Sequence, residues 1–569
     1  MRREFANRFH LLCGLSVAAI GIQPAIAAAE RLPPAQAVPS ANAGTAGTIG
    51  RYEVFTIPFD PKLTLRTGTY TPSGKVLVSY AKNAAQPVRQ IMLATQDDDG
   101  RNFRPFFSQA LPERPKDNGI RFMVFADNKR IFTGDHIIEC STSLETCKDA
   151  NLLPVEYPAE IADGDHIAHR WSEMIVAPDN KHVSWTTLFS NYSAMVFTGE
   201  LERTPAGYKI VRTRIVSNIA PFDKDPRHAD GVIPQILRGG EVKQFVHGGA
   251  GISLAGARHR DVADSTVLHL ATGDVEAITD TPGYDETTIF SPDERLGVVM
   301  SSRFSPRTDL GVLGLMPRPY ADSLNMSLNS LAYNYSVSGV RQTRNGNIGP
   351  ALIEIAASKT QKGYTGANLH TQDDWVFGSP LSWHPSSTKA MWMERRREVR
   401  RAGGARPPTR IQAVRLLDYR PGAAVAPAAT PETMAYASSD LSVARTYAAR
   451  VQDIDVKVYG KHSGYITYRR TPAGVIEKAY FDFSDDGKHV YSGREGMRSN
   501  PRGNSTYTAD ISLKGPKPGA MKLTMTFGPA SDFYQPTKIV FTPDAAGVPL
   551  SNGYTEYDGI RLEVSSLMP

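Results

Sequence analysis

Residues 284–300 read YDETTIFSPDERLGVVM. Polar residues open the stretch, Ile289 and Phe290 follow, Ser291-Pro292-Asp293-Glu294 intervenes, and Leu296 to Met300 is a second apolar run. Proline presets φ for a turn, and an Asp side chain can bond the backbone two residues on, so the stretch predicts strand, tight turn, strand.

The turn recurs. It stands at Thr71-Pro72-Ser73-Gly74, Phe125-Ala126-Asp127-Asn128, Ala177-Pro178-Asp179-Asn180 and, degenerately, Arg238-Gly239-Gly240-Glu241. After Ser291 it returns at His384-Pro385-Ser386-Ser387, Ser484-Asp485-Asp486-Gly487 and Thr542-Pro543-Asp544-Ala545. Successive copies begin 54, 52, 61, 53, 93, 100 and 58 residues apart. Periods of this size, each with further strand-like segments such as Arg89–Ala94, Ser193–Leu201 and Thr266–Thr279, predict four antiparallel strands per repeat and an all-β propeller. Eight copies predict eight blades, or seven if the degenerate copy is not one. EVFTIPFD (53–60) is the strand expected to close the ring, which removes free sheet edges.

Two long periods hold insertions. In the first, 317–345 follows an expected strand, TDLGVLGLM, and ALIEIAA resumes the blade. The second, 394–450, has the basic hairpin ERRREVRRAGGARPPTR, an Ala/Pro-rich linker (421–432) and a short helix expected over 440–450.

The repeated strand-[S/T/A]-P-D-x-strand, seen as TPSGKVLVS, APDNKHVSW, SPDERLGVV, SDDGKHVYS and TPDAAGVPL, resembles the TolB-like or PD40 group of WD40-like β-propellers. The resemblance spans nearly all of the chain beyond its N-terminal segment and implies the fold. It implies little about function, because such propellers include translocation partners, polysaccharide lyases and gating domains of peptidases.

The N-terminus, MRREFANRFHLLCGLSVAAIGIQPAIAAAE, has a basic start, a short apolar run and Ala25-Ile26-Ala27 as cleavage site. It reads as an export signal over 1–27, by the secretory route or, given Arg2-Arg3, the twin-arginine route. An Ala/Gly/Pro-rich disordered tail (28–50) and a propeller (51–569) are expected to follow. The expected location is periplasmic or secreted, with no membrane span in the mature chain. Removing Arg2, Arg3, Arg8 and Glu4 with the signal lowers the formal charge from +6 to +4, too little to argue for nucleic acid. Cys140 and Cys147, with six residues between them in an exported chain, are expected to form a disulfide closing a hairpin.

In propellers the residues just before each innermost strand ring one mouth of the channel. That rule collects Asp117, Asn118, His166, His169, Arg170, His228, Asp230, Tyr284, Asp285, Glu286, Asp373, Asp374, Glu477, Lys478, Tyr534 and Gln535. His169, His228, Asp285 and Glu286 have the donors a divalent metal needs, or an acid–base pair. The alternative is polar residues capping channel water and strand ends. Arg258, Arg260, Arg303 and Arg307 could hold carboxylates bidentately, with Arg170, Asp230 and Tyr534 completing a ligand site. With His169 or His228 as base, Tyr284 or Tyr534 as proton donor and Arg303 on the substrate carboxylate, the same funnel could act as a lyase. No G-x-S-x-G elbow, P-loop, H-E-x-x-H, C-x-x-C-H or dinucleotide glycine pattern is present.

Two readings follow. In one, an exported propeller binds a small molecule, carbohydrate or protein through its mouth and insertions. In the other, the same fold is a lyase or hydrolase of acidic carbohydrate. An enzyme needs the His169/His228/Asp285 set to converge at an open mouth; a binding module leaves it scattered or plugged, with Tyr320, Tyr333 and Tyr335 exposed on the insertion.

Overall fold

The computed structural model describes residues 43–46, 49–112, 122–162, 167–168, 174–189, 194–305, 310–341, 348–370, 372, 374–397, 407–449, 453–500, 503–529 and 538–568. The expected signal and most of the expected tail lie outside these residues.

The repeated turn has one construction. In five copies the fourth residue donates its N–H to the carbonyl of the first: Gly74 to Thr71 (2.9 Å), Asn128 to Phe125 (3.1 Å), Asn180 to Ala177 (2.9 Å), Glu294 to Ser291 (2.8 Å) and Ser387 to His384 (3.0 Å). The fourth residue takes a left-handed φ of 52° to 82° in all five, which explains the Gly and Asn found there. Asp293 Oδ1 accepts from Ser291 Oγ at 2.6 Å, and Leu296 N–H donates to Ser291 Oγ at 3.1 Å. Ser291 and Asp293 thus lock the turn that the sequence advertises.

Five of these turns and one variant each join the first two strands of a four-stranded antiparallel unit, and the second and third units are also joined by a short parallel pairing of Ala150–Glu156 with Gly207–Ile215. The first strands of the six sheets are Thr64–Tyr70, Phe122–Val124, Ile175–Val176, Glu241–Val246, Asp285–Phe290 and Trp375–Trp383. Six apolar clusters among the described residues each join two consecutive sheets. Sheets one and two share Leu77, Leu93, Phe122 and Ile131. Trp185 and Phe132 join two and three; Val196 and Leu254 join three and four. Val246 and Phe290 join four and five; Val298 and Trp392 join five and six. The last cluster, with Met391, Ile411, Tyr70 and Val78, returns from sheet six to sheet one. The ring is closed, and the protein is an all-β propeller with six blades among the described residues.

Burial on both faces explains the unbroken apolar runs: every residue of Val76–Ala81 and of Leu296–Ser301 is buried. Closure uses the expected N-terminal segment. Gly50–Ile57 pairs with Thr409–Leu416, from Tyr52 opposite Leu416 to Ile57 opposite Ile411, and so completes blade six. Ala43–Ala46, inside the stretch expected as a disordered tail, adds a fifth strand. The cysteines form the expected disulfide, Cα atoms 5.6 Å apart, across the connection between the last two strands of blade two.

Three expectations about the repeat are corrected. The degenerate copy at Arg238 precedes the inner strand of blade four; the turn itself is His247-Gly248-Gly249-Ala250, where three consecutive positive φ values do the work of Pro-Asp. TDLGVLGLM contributes a helical turn, Gly311–Gly314, rather than a strand. The last two copies mark no blades, so the count is six rather than eight or seven. Ser484 to Gly487 joins two strands of a separate eight-stranded meander running from Ile454–Tyr459 to Ile560–Glu563, and Thr542 lies in a loop of it. Its strands are long and buried alternately, as in Ser505–Lys514. One face of this sheet is buried and the other is wet.

The buried face of the meander packs on the first insertion. Met316, Leu324, Leu328 and Tyr335 share a core with Tyr468, Ile511, Met521 and Phe527. Strands alternate in direction, so the repeated turns lie at one end of the ring. The starts of inner strands and the connections between second and third strands lie at the other. The insertion leaves from such a connection. A hairpin, Phe222–Lys224 with Val232–Pro234, leaves the end of blade three at the same end and meets the meander through a Gly231–Lys457 bridge. The mouth expected to be open therefore carries the insertion and the meander. From blade six a strap crosses back over the turns, where Val425 N–H meets Pro292 O and Ala428 N–H meets Gly248 O, both at 2.8 Å. It ends in the expected short helix, Ser442–Ala449.

Candidate functional site

The residues chosen from the sequence fall into separate places. Tyr284, Asp285, Glu286 and Arg303 come together at the start of blade five's inner strand. The Tyr284 hydroxyl donates to Glu286 Oε2 at 2.7 Å, and Lys243 lies 3.0 Å from Glu286 Oε1 and 2.9 Å from Glu241. Burial works to raise the Glu286 carboxyl, but Lys243 and Arg341 outweigh it and hold the group below its ordinary value. Arg303 pairs with Asp285 at 2.6 Å, and both side chains are almost wholly buried. Neighbouring Asp264 is pushed well up, first by burial and then by Asp285. Tyr333 of the insertion packs over Tyr284 with ring centroids 6.2 Å apart. This is a buried polar network beneath the insertion, in which Glu286, Asp285, Lys243 and Arg303 have partners from within.

The other arginines anchor the insertion. Arg258 pairs with Asp322 at 3.2 Å; Arg260 pairs with Asp280 at 2.6 Å and donates to Leu315 O at 2.8 Å. Of the aromatics expected to be exposed there, Tyr335 is buried in the shared core and Tyr320 is half-buried against Phe483. Lys478, expected at the mouth, is buried in the meander with Glu495 at 2.6 Å. His166, His169, Arg170, Arg307, Asp117, Asn118, Asp373, Tyr534 and Gln535 lie outside the described residues.

His228 and Asp230 sit elsewhere, on the blade-three hairpin, because residues 222–234 leave the blade instead of entering the next inner strand. His228 Nδ1 is 3.1 Å from Asp225 Oδ2, and its ring stacks on Tyr459 of the meander at 3.8 Å and 13°. Tyr459 donates to Asp230 at 3.0 Å, which holds that carboxyl below its usual range. Beyond Tyr459 the outer sheet face continues with Tyr465 at 6.0 Å and Phe481 a further 4.6 Å on, the last 41% exposed. Between hairpin, insertion and meander opens a cavity of about 270 Å3 lined by Arg227, Val232, Ile233, Tyr320, Val458, Tyr459 and Lys461.

The charged residues that line the cavity are Arg227 and Lys461, and carboxylates stand beside them. Arg227 forks onto Asp225 (3.1 and 3.0 Å), whose carboxyl is held far below its usual range first by that arginine. Asp485 accepts from the Tyr320 hydroxyl at 3.1 Å, and burial followed by Asp485 pushes that phenol up. Lys457 lies over the Tyr459 and Tyr465 rings at 4.6 and 4.3 Å. The Lys461 backbone N–H donates to Asp485 Oδ1 at 2.9 Å. Sequence reasoning missed Tyr459, Tyr465 and Phe481 because they were read as blade strands. The alternation in IDVKVY and SGYITYRR was the available signal for a one-sided sheet.

Two groups of potential metal ligands come together among the described residues, His247/His269/Glu276 and His182/Glu200/Glu432. Neither contains His228, Asp285 or Glu286.

No family model matches the chain, and no curated protein matches it. Solved structures are similar to it at low scores. TolB from Acinetobacter baumannii is 11% identical, with TM-score 0.29 over 62% of this chain and 65% of that one, less than two thirds of its length. An oligogalacturonate lyase in complex with manganese is 10% identical, with TM-score 0.33 over 68% of this chain and 99% of that one. The oligogalacturonate lyase of Vibrio parahaemolyticus is 9% identical, with TM-score 0.33 over 66% and 96%. The propeller described above rests on this chain's own strand pairing and ring closure. No described helix is long and apolar enough to cross a membrane.

Proposed function

We propose that the protein is an exported binding protein whose ligand is a saccharide, held in the cavity between the blade-three hairpin, Tyr320 and the meander. The observation that carries this is the run of aromatic rings His228–Tyr459–Tyr465–Phe481, which reaches the cavity at Tyr459, opposite Tyr320 and beside Arg227 and Lys461. Aromatic faces offer flat apolar area for the C–H faces of a sugar ring. Forked arginine and carboxylate groups suit pairs of neighbouring hydroxyls, and a mostly apolar cleft with few polar groups fixes orientation. Arg227 pairs with Asp225 and Lys457 with Asp230, while Asp485 accepts from the Lys461 backbone N–H, so hydrogen-bond pattern as well as charge selects the ligand.

Titration calorimetry against neutral and uronic-acid oligosaccharides tests the reading. Binding is expected for at least one of them, with Tyr459→Ala weakening it at least tenfold. Absence of binding to every oligosaccharide at millimolar concentration, or equal binding by Tyr459→Ala, would overturn it. The lyase reading assigns chemistry to Tyr284 and Arg303, and both have internal partners. A screen for unsaturated product from uronic-acid polymers decides it separately.

A further inference from the structure

At the turn end of blade four, away from the cavity, two imidazoles lie parallel at 5.4 Å and 3°. One is His247, in the variant turn; the other is His269, at the end of the third strand. Ligand atoms of His247, His269 and Glu276 all lie within 4.8 Å of one another, with His269 Nε2 3.6 Å from Glu276 Oε2. Glu294, from the turn of blade five, holds His247 Nδ1 at 2.8 Å. That leaves Nε2 as the open ring nitrogen, and it is buried with no hydrogen-bond partner.

We propose that His247, His269 and Glu276 bind a divalent transition metal ion, zinc or a metal of like preference, with Glu294 as the positioning residue for His247. Two imidazoles and a carboxylate leave a fourth position for water, a common zinc arrangement. A carboxylate on the far nitrogen of a ligating histidine fixes its tautomer and ring orientation. Donor atoms around tetrahedral zinc are about 3.4 Å apart, within reach of small rotations of these half-exposed side chains. The formal charge is suited to a dication, since Glu276 and Glu294 outnumber Lys359, which pairs with Glu276. The turn carrying His247 is also clamped. A Cβ on Gly248 would meet Ala426 O of the strap at 2.4 Å, and His247 itself holds φ 55°. The second group is unsuited, because Glu200 is already paired with Lys181 and Arg212, and Asp179 occupies the His182 ring.

The test uses the full, tag-free chain after chelator treatment, titrated with Zn2+ by calorimetry and with Co2+ by visible absorption. The wild type should bind one equivalent more than His247→Ala/His269→Ala, whose cobalt spectrum should lose its ligand-field bands. Glu294→Gln should keep the stoichiometry and weaken binding about 10- to 100-fold. Tyr459→Ala should bind metal as the wild type does, so failure of the saccharide reading leaves this result independent. Equal stoichiometry and identical cobalt spectra in wild type and double variant would overturn the proposal. If the double variant fails to fold, His269→Gln carries the same comparison.

Discussion

Replacing Glu495 by Gln removes one charge from the centre of the meander's core. Its carboxylate accepts from the Tyr480 and Tyr507 hydroxyls, each at 2.6 Å, and lies 2.6 Å from Lys478 and 3.7 Å from Arg318. All four ionic or phenolic partners are buried, and Lys478 also donates to Asn325 at 2.7 Å. Arg318 keeps Asp261. Lys478 then faces only neutral partners, and removing one member of a buried pair costs about 3–5 kcal/mol, because the stranded charge is the main expense. All five tryptophans precede residue 417, so tryptophan fluorescence follows the propeller while near-ultraviolet tyrosine dichroism also reports the meander. Urea unfolding of Glu495→Gln should therefore move the tyrosine transition further than the tryptophan transition. The double variant Lys478→Met/Glu495→Gln should recover more than half the loss, since it no longer buries an unpaired cation. A cost under about 1 kcal/mol for the single variant, or a double variant no better than the single, would refute the reasoning.

Lys478 also sets a pH dependence. Burial brings its pKa down to about 8, with Glu495 opposing, so between pH 8 and 10 the unfolded chain binds more protons and stability rises. Above about pH 10 the sign reverses, because buried Tyr480, Tyr507 and Tyr284 keep protons that the unfolded chain loses. Thermal midpoints across pH 7.5–11 should show that maximum. Asp293→Ala removes acceptors for Ser291 Oγ (2.6 Å), the Tyr419 hydroxyl (2.7 Å) and Gly422 N–H (3.0 Å). It should cost about 1–3 kcal/mol and raise protease cleavage within the strap. Cys140→Ala/Cys147→Ala opens a short loop and should lose about 2–3 kcal/mol, read from the denaturation midpoint.

The hairpin turn was legible from sequence because its chemistry is local: Ser291, Pro292 and Asp293 act on their own backbone, and Asn180 or Gly74 supplies the left-handed residue. Chain closure was legible too, because Gly50–Ile57 is a strand with no partner in its own neighbourhood. The address of each turn was not. SDDGKHVYS joins two antiparallel strands in the meander as SPDERLGVV does in a blade, since a two-strand turn does not know whether its outer faces will be stacked or wet. The clue lay in periodicity: VLVSYA is buried throughout, while STYTADISLK alternates.

The sequence by itself determined an all-β propeller of repeated hairpins, its N-terminal closing strand and the Cys140–Cys147 bridge, because each rests on short-range patterning. Only the tertiary structure decided that there are six blades. It placed Tyr284, Asp285 and Arg303 under a helical insertion, and set His228 on Tyr459 some 230 residues later in the chain. It alone brought His247, His269 and Glu276 to one point. Those are contacts between elements distant in sequence, chosen by which apolar faces remain to be covered after each hairpin has formed.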